Sequence, residues 1–190
     1  MLNLIIFGPP GAGKGTQAAM IATEYKLAHL SSGEILRQEL KNGALGGKIR
    51  KYQEAGKLVP DNLVIEMVEK AAGKKIKGNG FIFDGYPRNL RQTKALDKFF
   101  KAHKASLDIV LNLKLSEAEA ERRILLRGKT SGRSDDNHKT IMSRFKVYRA
   151  QTAPILDYYH KQKKVINIDG RPKVEIIFKK IKEIIAKNKK

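Results

Sequence analysis

The chain has 190 residues, 41% of them hydrophobic, which is enough for one main domain with a sizeable core. It contains no cysteine, which excludes disulfides, cysteine-based zinc sites and thiol catalysis. It also has no apolar run of membrane-spanning length and no signal-peptide pattern, so we expect a cytoplasmic protein without a membrane partner.

The charge is strongly basic, with 39 lysines and arginines against 19 acidic residues and a net charge of +20. Such a balance raises nucleic acid as a partner, because basic surfaces release counterions from phosphate backbones. The lysines, however, are spread along the whole chain. We therefore favour a solvated surface, whose field also attracts small anionic substrates.

Along the chain, short apolar runs typical of buried strands alternate with amphipathic segments typical of helices. Strands are predicted at 2–7, 27–31, 80–84, 108–115 and 165–169. Helices are predicted between them, for example at 16–25 and 93–103, and capping boxes stand at 31–34 and 116–119. This alternation predicts an α/β fold in which a five-stranded parallel sheet carries helices on both faces.

Two stretches depart from the alternation. Residues 31–60 predict two or three short helices with no strand between them, and 127–137 (RGKTSGRSDDN) predicts a polar loop between two helices. We expect both to lie near the carboxyl ends of strands, where ligand sites form in such sheets. Pro154, inside a long helical segment at 137–160, predicts a kink or break.

The stretch GPPGAGKGT (8–16) directly follows the first strand and contains the phosphate-binding pattern G-x-x-x-x-G-K. Gly15 stands where this pattern has a serine or threonine, and Thr16 comes next. Glycines let backbone N–H groups converge on one point, the helix N-terminus adds partial positive charge, and Lys14 reaches the outer phosphates. The stretch predicts a bound nucleoside triphosphate rather than an empty tight turn.

This loop resembles that of adenylate kinases and their nucleoside monophosphate (NMP) kinase relatives. The likeness continues in order and spacing through HLSSGEILR (29–37), GKLVPD (56–61), FDGYPRNLRQ (83–92), RGKTSGRSDDN (127–137) and SRFKVY (143–148). It implies a single domain of P-loop NTPase type over 1–190, with an NMP-binding helical insertion at 31–60 and a short lid at 127–137. It also implies a monomer, and a lid without cysteines implies no zinc.

The resemblance implies reversible transfer of the ATP γ-phosphoryl group to AMP, giving two ADP, with Mg²⁺. Because the acceptor is already an anionic oxygen, the reaction needs charge neutralisation, positioning and exclusion of water rather than a general base. The implied catalytic cations are Lys14, Arg88, Arg127, Arg133 and Arg144.

Two sets of acidic residues have alternative interpretations. By resemblance, Asp84 orients water bound to Mg²⁺, and the alternative is a cap for the turn after the strand. Asp135 and Asp136 are assigned to ordering the lid by pairing with its arginines; they can also cap the helix that begins near Asn137, and the two uses can coexist.

The two nucleotides have separate implied sites. The ATP-binding residues are Gly11, Ala12, Gly13, Lys14, Gly15, Thr16, Arg123, Arg127, Gly170 and Arg171. Within this set, Arg123 is implied to stack on the adenine, and the backbone near Gly170 and Arg171 to recognise it. The AMP-binding residues are Ser32, Arg37, Lys57, Leu58, Val59, Gly85, Tyr86, Pro87, Arg88, Gln92, Arg133 and Arg144.

Two positions favour AMP over pyrimidine nucleotides. Ser32 carries a hydroxyl where threonine is commoner and pyrimidine-specific relatives tend to have alanine. Gln92 has an amide that both donates to and accepts from the Watson–Crick edge of adenine. The alternatives are a UMP/CMP kinase and, from another class, a P-loop ATPase stimulated by nucleic acid. A silent nucleotide sensor is disfavoured, because a sensor needs no arginine cage around a second phosphate.

Overall fold

The computed structural model describes residues 1–42, 46–131 and 136–188. The strands in these ranges are β1 (Leu2–Phe7), β2 (Ala28–Ser31), β3 (Gly80–Asp84), β4 (Ile109–Lys114) and β5 (Val165–Asp169). The helices in the same ranges are α1 (Lys14–Tyr25), α2 (Ser32–Asn42), α3 (Gly46–Glu54), α4 (Asp61–Gly73), α5 (Leu90–Ala102), α6 (Glu117–Ser131), α7 (His138–Val147), α8 (Ala153–His160) and α9 (Val174–Asn188).

The strands form one sheet in the order β2-β3-β1-β4-β5, and every neighbouring pair is parallel. Leu4 of β1 stands opposite Ile82 of β3 on one side and Ile109 of β4 on the other. The predicted five-stranded parallel sheet is confirmed, and its strands match the predicted ones to within a residue or two at each end.

The core lies on both faces of this sheet. Ile5 belongs to a buried cluster with residues of α4, α5 and α8, whereas its neighbour Ile6 belongs to a second cluster with residues of α1 and α9. Successive strand residues point to opposite faces, so a strand covered on both faces needs apolar residues at every position. This double burial is why the strands appear in the sequence as continuous apolar runs.

Residues 31–60 contain α2 and α3, and no strand occurs among the described residues of this stretch after Ser31. The expectation of short helices here is confirmed. The described residues also contain no helix that is long and apolar enough to cross a membrane.

The predicted break near Pro154 is confirmed and has a specific form. A π-helical turn, Tyr148–Thr152, separates α7 from α8, and Pro154 occupies the first turn of α8. Proline has no N–H for an intrahelical bond, but that group is not needed at the start of a helix. The turn directs Thr152 Oγ1 to donate to the Arg88 carbonyl at 2.9 Å.

The prediction of a loop over 127–137 is wrong for its first five residues, because α6 continues through Ser131. Glycine is a poor helix former, yet Gly128 lies inside this helix. A Cβ on Gly128 would lie 3.1 Å from the Cβ and from the carbonyl oxygen of Asp136, so the missing side chain lets the two segments approach closely. Residues 132–135 of the predicted lid lie outside the described residues.

Candidate active site

The loop between β1 and α1 leaves the first turn of α1 open to an anion. Gly13 is the N-cap residue, with φ of 82°, and among the described residues no side chain caps it. Gly11 has φ of 84°, and a Cβ there would lie 2.4 Å from the Ala120 carbonyl oxygen. Both positions require glycine, and the uncapped N–H groups at the helix start suit phosphate oxygens.

Lys14 folds back over this loop. Its Nζ donates to the carbonyl oxygens of Gly8 and Pro9, at 2.9 Å in each case. Burial disfavours the charged ammonium and lowers the pKa of Lys14 from 10.5 to about 8. The ammonium group is therefore still mostly charged at neutral pH, although nearby negative charge offsets only part of the cost of burying it.

The charges around Lys14 come from distant parts of the chain. Burial has the largest influence on the Lys14 pKa. The carboxylate of Asp84 has the second largest, and it raises the pKa. Three guanidinium groups then lower the pKa further, those of Arg88, Arg127 and Arg144. Three predicted catalytic arginines and the predicted magnesium-site carboxylate thus lie within electrostatic range of the loop lysine.

Asp84 ends β3 beside the first turn of α1. Its Oδ2 accepts a hydrogen bond from Ser31 Oγ at 3.3 Å, and a Cβ on Gly15 would lie 3.4 Å from the same oxygen. No group of three or more histidine or acidic ligands that could hold a metal occurs among the described residues. A lone carboxylate next to a phosphate-binding loop fits Mg²⁺, which keeps several waters and takes its other ligands from phosphates.

Asp136 holds two of the arginines together. Arg127 donates through Nε and one terminal nitrogen to the two Asp136 oxygens, at 2.8 and 2.7 Å, and Arg144 donates to Oδ1 at 3.4 Å. The Asp136 side chain is fully buried, whereas that of Arg127 is 38% exposed. A forked contact of this kind fixes the plane of the guanidinium.

The N-cap of helix α7 is neither of the two aspartates, Asp135 and Asp136, that the sequence offered as caps. Asn137 is the N-cap of α7, and its Oδ1 accepts the Thr140 N–H at 3.0 Å. The capping interpretation of Asp136 is therefore wrong, because its carboxylate is occupied by arginines. Asp135 and Arg133 lie outside the described residues.

A cavity next to this cluster collects most of the residues predicted to bind AMP. Its lining includes eight of them: Ser32, Arg37, Lys57, Leu58, Val59, Arg88, Gln92 and Arg144. Gln53 and Val64 also line it, although no sequence signal had singled them out. A lining that combines three arginines with a side-chain amide suits a ligand that has both a phosphate and a base.

The Gly85 carbonyl joins two parts of this cavity. It accepts from Arg88 Nε at 2.7 Å and from Ser32 Oγ at 2.5 Å, so it ties the start of α2 to the loop after β3. Burial lowers the pKa of the Arg88 guanidinium. Next in this loop the Tyr86–Pro87 peptide is cis, and the Tyr86 side chain is only 1% exposed, so its ring belongs to the core rather than to the cavity.

Both polar atoms of the Gln92 side-chain amide already have one hydrogen-bond partner within the protein. Its Oε1 accepts the Arg88 N–H and its Nε2 donates to Asp61 Oδ1, both at 2.8 Å. Asn89 donates to the same Asp61 oxygen at 2.8 Å. The sequence did not reveal Asp61 or Asn89 as site residues, because Asp61 meets its partners only through the fold; the N-cap pattern of Asn89 was the one available signal.

A second pair of missed residues joins α7 to the end of α3. Thr140 Oγ1 donates to the Glu54 carbonyl at 3.1 Å, and Ser143 Oγ donates to the Ala55 carbonyl at 2.8 Å. Carbonyls at a helix C-terminus lack intrahelical partners, so α7 supplies bonds that α3 cannot make itself. These contacts, which we call the α3–α7 contact, hold the insertion against the core beside the cavity.

The residues predicted to hold the ATP base also meet. Arg123 donates to the carbonyl oxygens of Gly170 and Arg171, at 2.9 and 3.1 Å, and its Nε donates to Glu119. Hydrogen bonds from Arg122 and then Arg123 lower the pKa of the Glu119 carboxyl to about 2. The Arg171 side chain turns away to pair with Asp169.

Comparison with known proteins decides the family. The model of the family described as Adenylate kinase matches residues 6–164. The chain belongs to the adenylate kinase family. This range includes Lys14 and all the charged residues that influence its pKa, Asp84, Arg88, Arg127 and Arg144.

Relatives named adenylate kinase are similar over nearly the whole chain. The protein from Parabacteroides distasonis is 48% identical, and the match covers 97% of this chain and 98% of the relative. The one from Bacteroides thetaiotaomicron is 42% identical, with coverage of 98% and 100%. The one from Methanothrix thermoacetophila is 36% identical, with coverage of 98% and 99%.

Proposed function

We propose that this protein catalyses the reversible, Mg²⁺-dependent transfer of the γ-phosphoryl group of ATP to AMP, giving two ADP. One observation carries the proposal: Arg88, Arg127 and Arg144 lie within electrostatic range of Lys14, and two of them, Arg88 and Arg144, also line a second cavity. A nucleotide hydrolase needs one phosphate site, whereas transfer between two nucleotides needs two anion sites that share a border.

On the donor side, the N–H groups at the start of α1 bind the ATP phosphates, and Lys14 leaves the Gly8 and Pro9 carbonyls to contact them. Asp84 would hold Mg²⁺ through water ligands, and the ion would supply neutralisation of phosphate charge. Arg123, Gly170 and Arg171 hold the adenine. This part of the proposal is supported by the uncapped helix start and by the two Arg123 hydrogen bonds to the 170–171 backbone.

On the acceptor side, Arg37, Arg88 and Arg144 bind the AMP phosphate, and the base lies towards Ser32 and Gln92. Arg88 is preorganised, because its Nε bond to the Gly85 carbonyl leaves its other nitrogens for phosphate oxygens. A permanent cation fixed before binding stabilises the charge on the transferred group without reorganisation.

Closure over the substrates is the third part of the proposal. Residues 31–60 form the NMP-binding insertion and residues 127–137 the short lid, in which Arg127, Arg133, Asp135 and Asp136 have the roles that the resemblance implies. The support is the bonding of Arg127 and Arg144 to one buried carboxylate and the α3–α7 contact. Closed segments exclude water, which would otherwise compete with AMP for the phosphoryl group.

The test is an acceptor panel in which Mg-ATP is incubated with AMP, UMP, CMP, GMP or no acceptor. We expect fast ADP formation with AMP and slow hydrolysis without an acceptor. Preference for UMP or CMP would overturn the base assignment alone. Hydrolysis that needs no acceptor and rises with added nucleic acid would overturn the proposal as a whole.

We also propose that the enzyme acts as a monomer in the cytoplasm. The monomer is supported by the origin of the two proposed nucleotide sites: the residues that line the cavity and the residues that cluster around Lys14 all come from one chain. Light scattering at the concentration of the activity assay checks the monomer, and fractionation of cells checks the compartment.

A further inference from the structure

The Gln92 side chain has its two amide atoms fixed by partners of opposite chemistry. The Arg88 backbone N–H can only donate, so it faces Oε1. The Asp61 carboxylate can only accept, so it faces Nε2. Turning the amide over would bring two donors together at Arg88 and two acceptors together at Asp61.

Asp61 is itself held in place by a closed set of hydrogen bonds. Its Oδ1 accepts from Asn89 Nδ2 as well as from Gln92 Nε2, both at 2.8 Å. Asn89 Oδ1 in turn accepts the Gln92 N–H at 3.0 Å, as the N-cap of α5. The first residue of α4 thereby sets the orientation of a side chain on α5.

We propose that Asp61 is a specificity-determining positioning residue, which selects the base of the acceptor nucleotide by holding the Gln92 amide in one orientation. This inference rests on the proposed function, since it concerns the base of the phosphoryl acceptor. Gln92 lines the acceptor cavity, and each of its amide atoms keeps capacity for one more partner. Oε1 remains an acceptor and Nε2 remains a donor.

The fixed order selects a pattern on the base. Adenine presents an amino donor beside a ring-nitrogen acceptor, which complements an amide that offers Oε1 beside Nε2. Hypoxanthine has the same size but presents a carbonyl acceptor beside a ring N–H donor, so it requires the reversed amide. Cytosine shares the order of adenine and uracil that of hypoxanthine, but pyrimidines also differ in size. The pair AMP and IMP therefore isolates the orientation of Gln92 from the fit of the cavity.

The experiment compares kcat/KM for AMP with kcat/KM for IMP in the wild type and in Asp61→Asn. Asparagine keeps the shape of the side chain but removes the charge and offers either an oxygen or an NH₂ group to Gln92. We expect the AMP/IMP ratio to fall about tenfold or more, the factor for one charge-assisted hydrogen bond. Dissociation constants of AMP and IMP from calorimetry should shift in the same direction.

Two controls separate positioning from general damage. Glu66→Gln removes one charge from the exposed side of the same helix and should leave the ratio unchanged. In a Gln92→Leu background, Asp61→Asn should no longer change the ratio, because the residue through which it acts is gone. Both substrates are measured on one preparation, so partial unfolding cancels from the ratio.

Failure of this inference and failure of the proposed function would give different results. If Asp61→Asn lowers AMP and IMP turnover by the same factor, or still changes the ratio without Gln92, Asp61 is not a positioning residue for the base and the proposed function stands. If the wild type does not phosphorylate AMP, the proposed function and this inference fall together.

Discussion

The proposed donor and acceptor sides of the site are built in different ways. The donor side is one continuous stretch, 8–16, whose backbone conformation creates an open helix N-terminus. The acceptor side joins Ser32, Arg37, Arg88, Gln92 and Arg144, which are spread over more than a hundred residues. A local site can be detected from spacing alone, whereas an assembled site depends on contacts that only the fold makes.

Lys14→Met should have the largest effect and should act through the donor side. Loss of the one loop ammonium next to the transferred phosphate should lower kcat about 100- to 1000-fold, as for other preorganised charge-stabilising groups. AMP affinity should change little. The matched control is Lys98→Met, which removes an exposed lysine from α5. Equal damage to ATP and AMP binding would contradict the division into two sides.

Arg88→Ala should show the largest effect on the acceptor side. We expect turnover to fall by more than about tenfold, or ~1.4 kcal/mol of transition-state stabilisation, with a raised KM for AMP. Arg91→Ala, an exposed arginine three residues later, serves as the control. Steady-state kinetics with either ATP or AMP varied measures both effects. A fall in turnover of less than about tenfold would contradict the proposed role of Arg88.

Asp136→Asn should affect both sides together, because its carboxylate binds Arg127 and Arg144. We expect kcat to fall about tenfold, since a neutral amide releases at least one charge-assisted hydrogen bond. Thermal unfolding monitored in parallel separates this effect from lost stability, and Asp157→Asn is an exposed control. A change in ATP affinity alone would show that Asp136 serves one side only.

The pH dependence should belong to the donor side. Burial puts the pKa of Lys14 at about 8 in the free protein, and a bound triphosphate favours the charged form and so raises this pKa. ATP binding above pH 8 therefore takes up a proton, and affinity weakens as the pH rises. At pH 8.5 we expect about a fourfold weaker affinity than at pH 6.5.

Calorimetry at pH 8.5 in two buffers of different ionisation enthalpy measures this proton uptake. The uptake should be absent at pH 6.5, where Lys14 is already charged, and absent in Lys14→Met. AMP binding should show no comparable uptake in this range, since its proposed phosphate ligands are arginines. Uptake of similar size for both nucleotides would break the contrast.

The smallest expected effect concerns the α3–α7 contact. Ser143→Ala removes the hydrogen bond to the Ala55 carbonyl, and one neutral bond of this kind is worth about 1 kcal/mol. We expect the KM for AMP to rise by up to about fivefold, the factor that corresponds to 1 kcal/mol, with ATP binding unchanged. Met142→Ala, at the exposed neighbouring position, is the control. An effect on the KM for ATP instead would mean that the contact does not belong to the acceptor side.

The sequence predicted the sheet well because burial on both faces forces apolar residues at successive strand positions. It was less successful where a helix end depends on distant partners. Gly128 suggested a loop, yet α6 runs past it because Asp136 packs against that glycine and binds Arg127. For the same reason the sequence offered Asp135 and Asp136 as possible caps of α7, whereas Asn137 is its N-cap.

By itself, the sequence determined the fold class, the phosphate loop and the family, since each depends on a pattern of neighbouring residues or on ordered motifs. The tertiary structure alone decided how those motifs meet. The cluster of Lys14 with three arginines and the hydrogen bond between Asp61 and Gln92 each join residues more than thirty positions apart in the sequence. Such pairs produce no repeating pattern in the sequence. A side-chain hydrogen bond requires its two atoms to lie about 3 Å apart in space, whatever the number of residues between them.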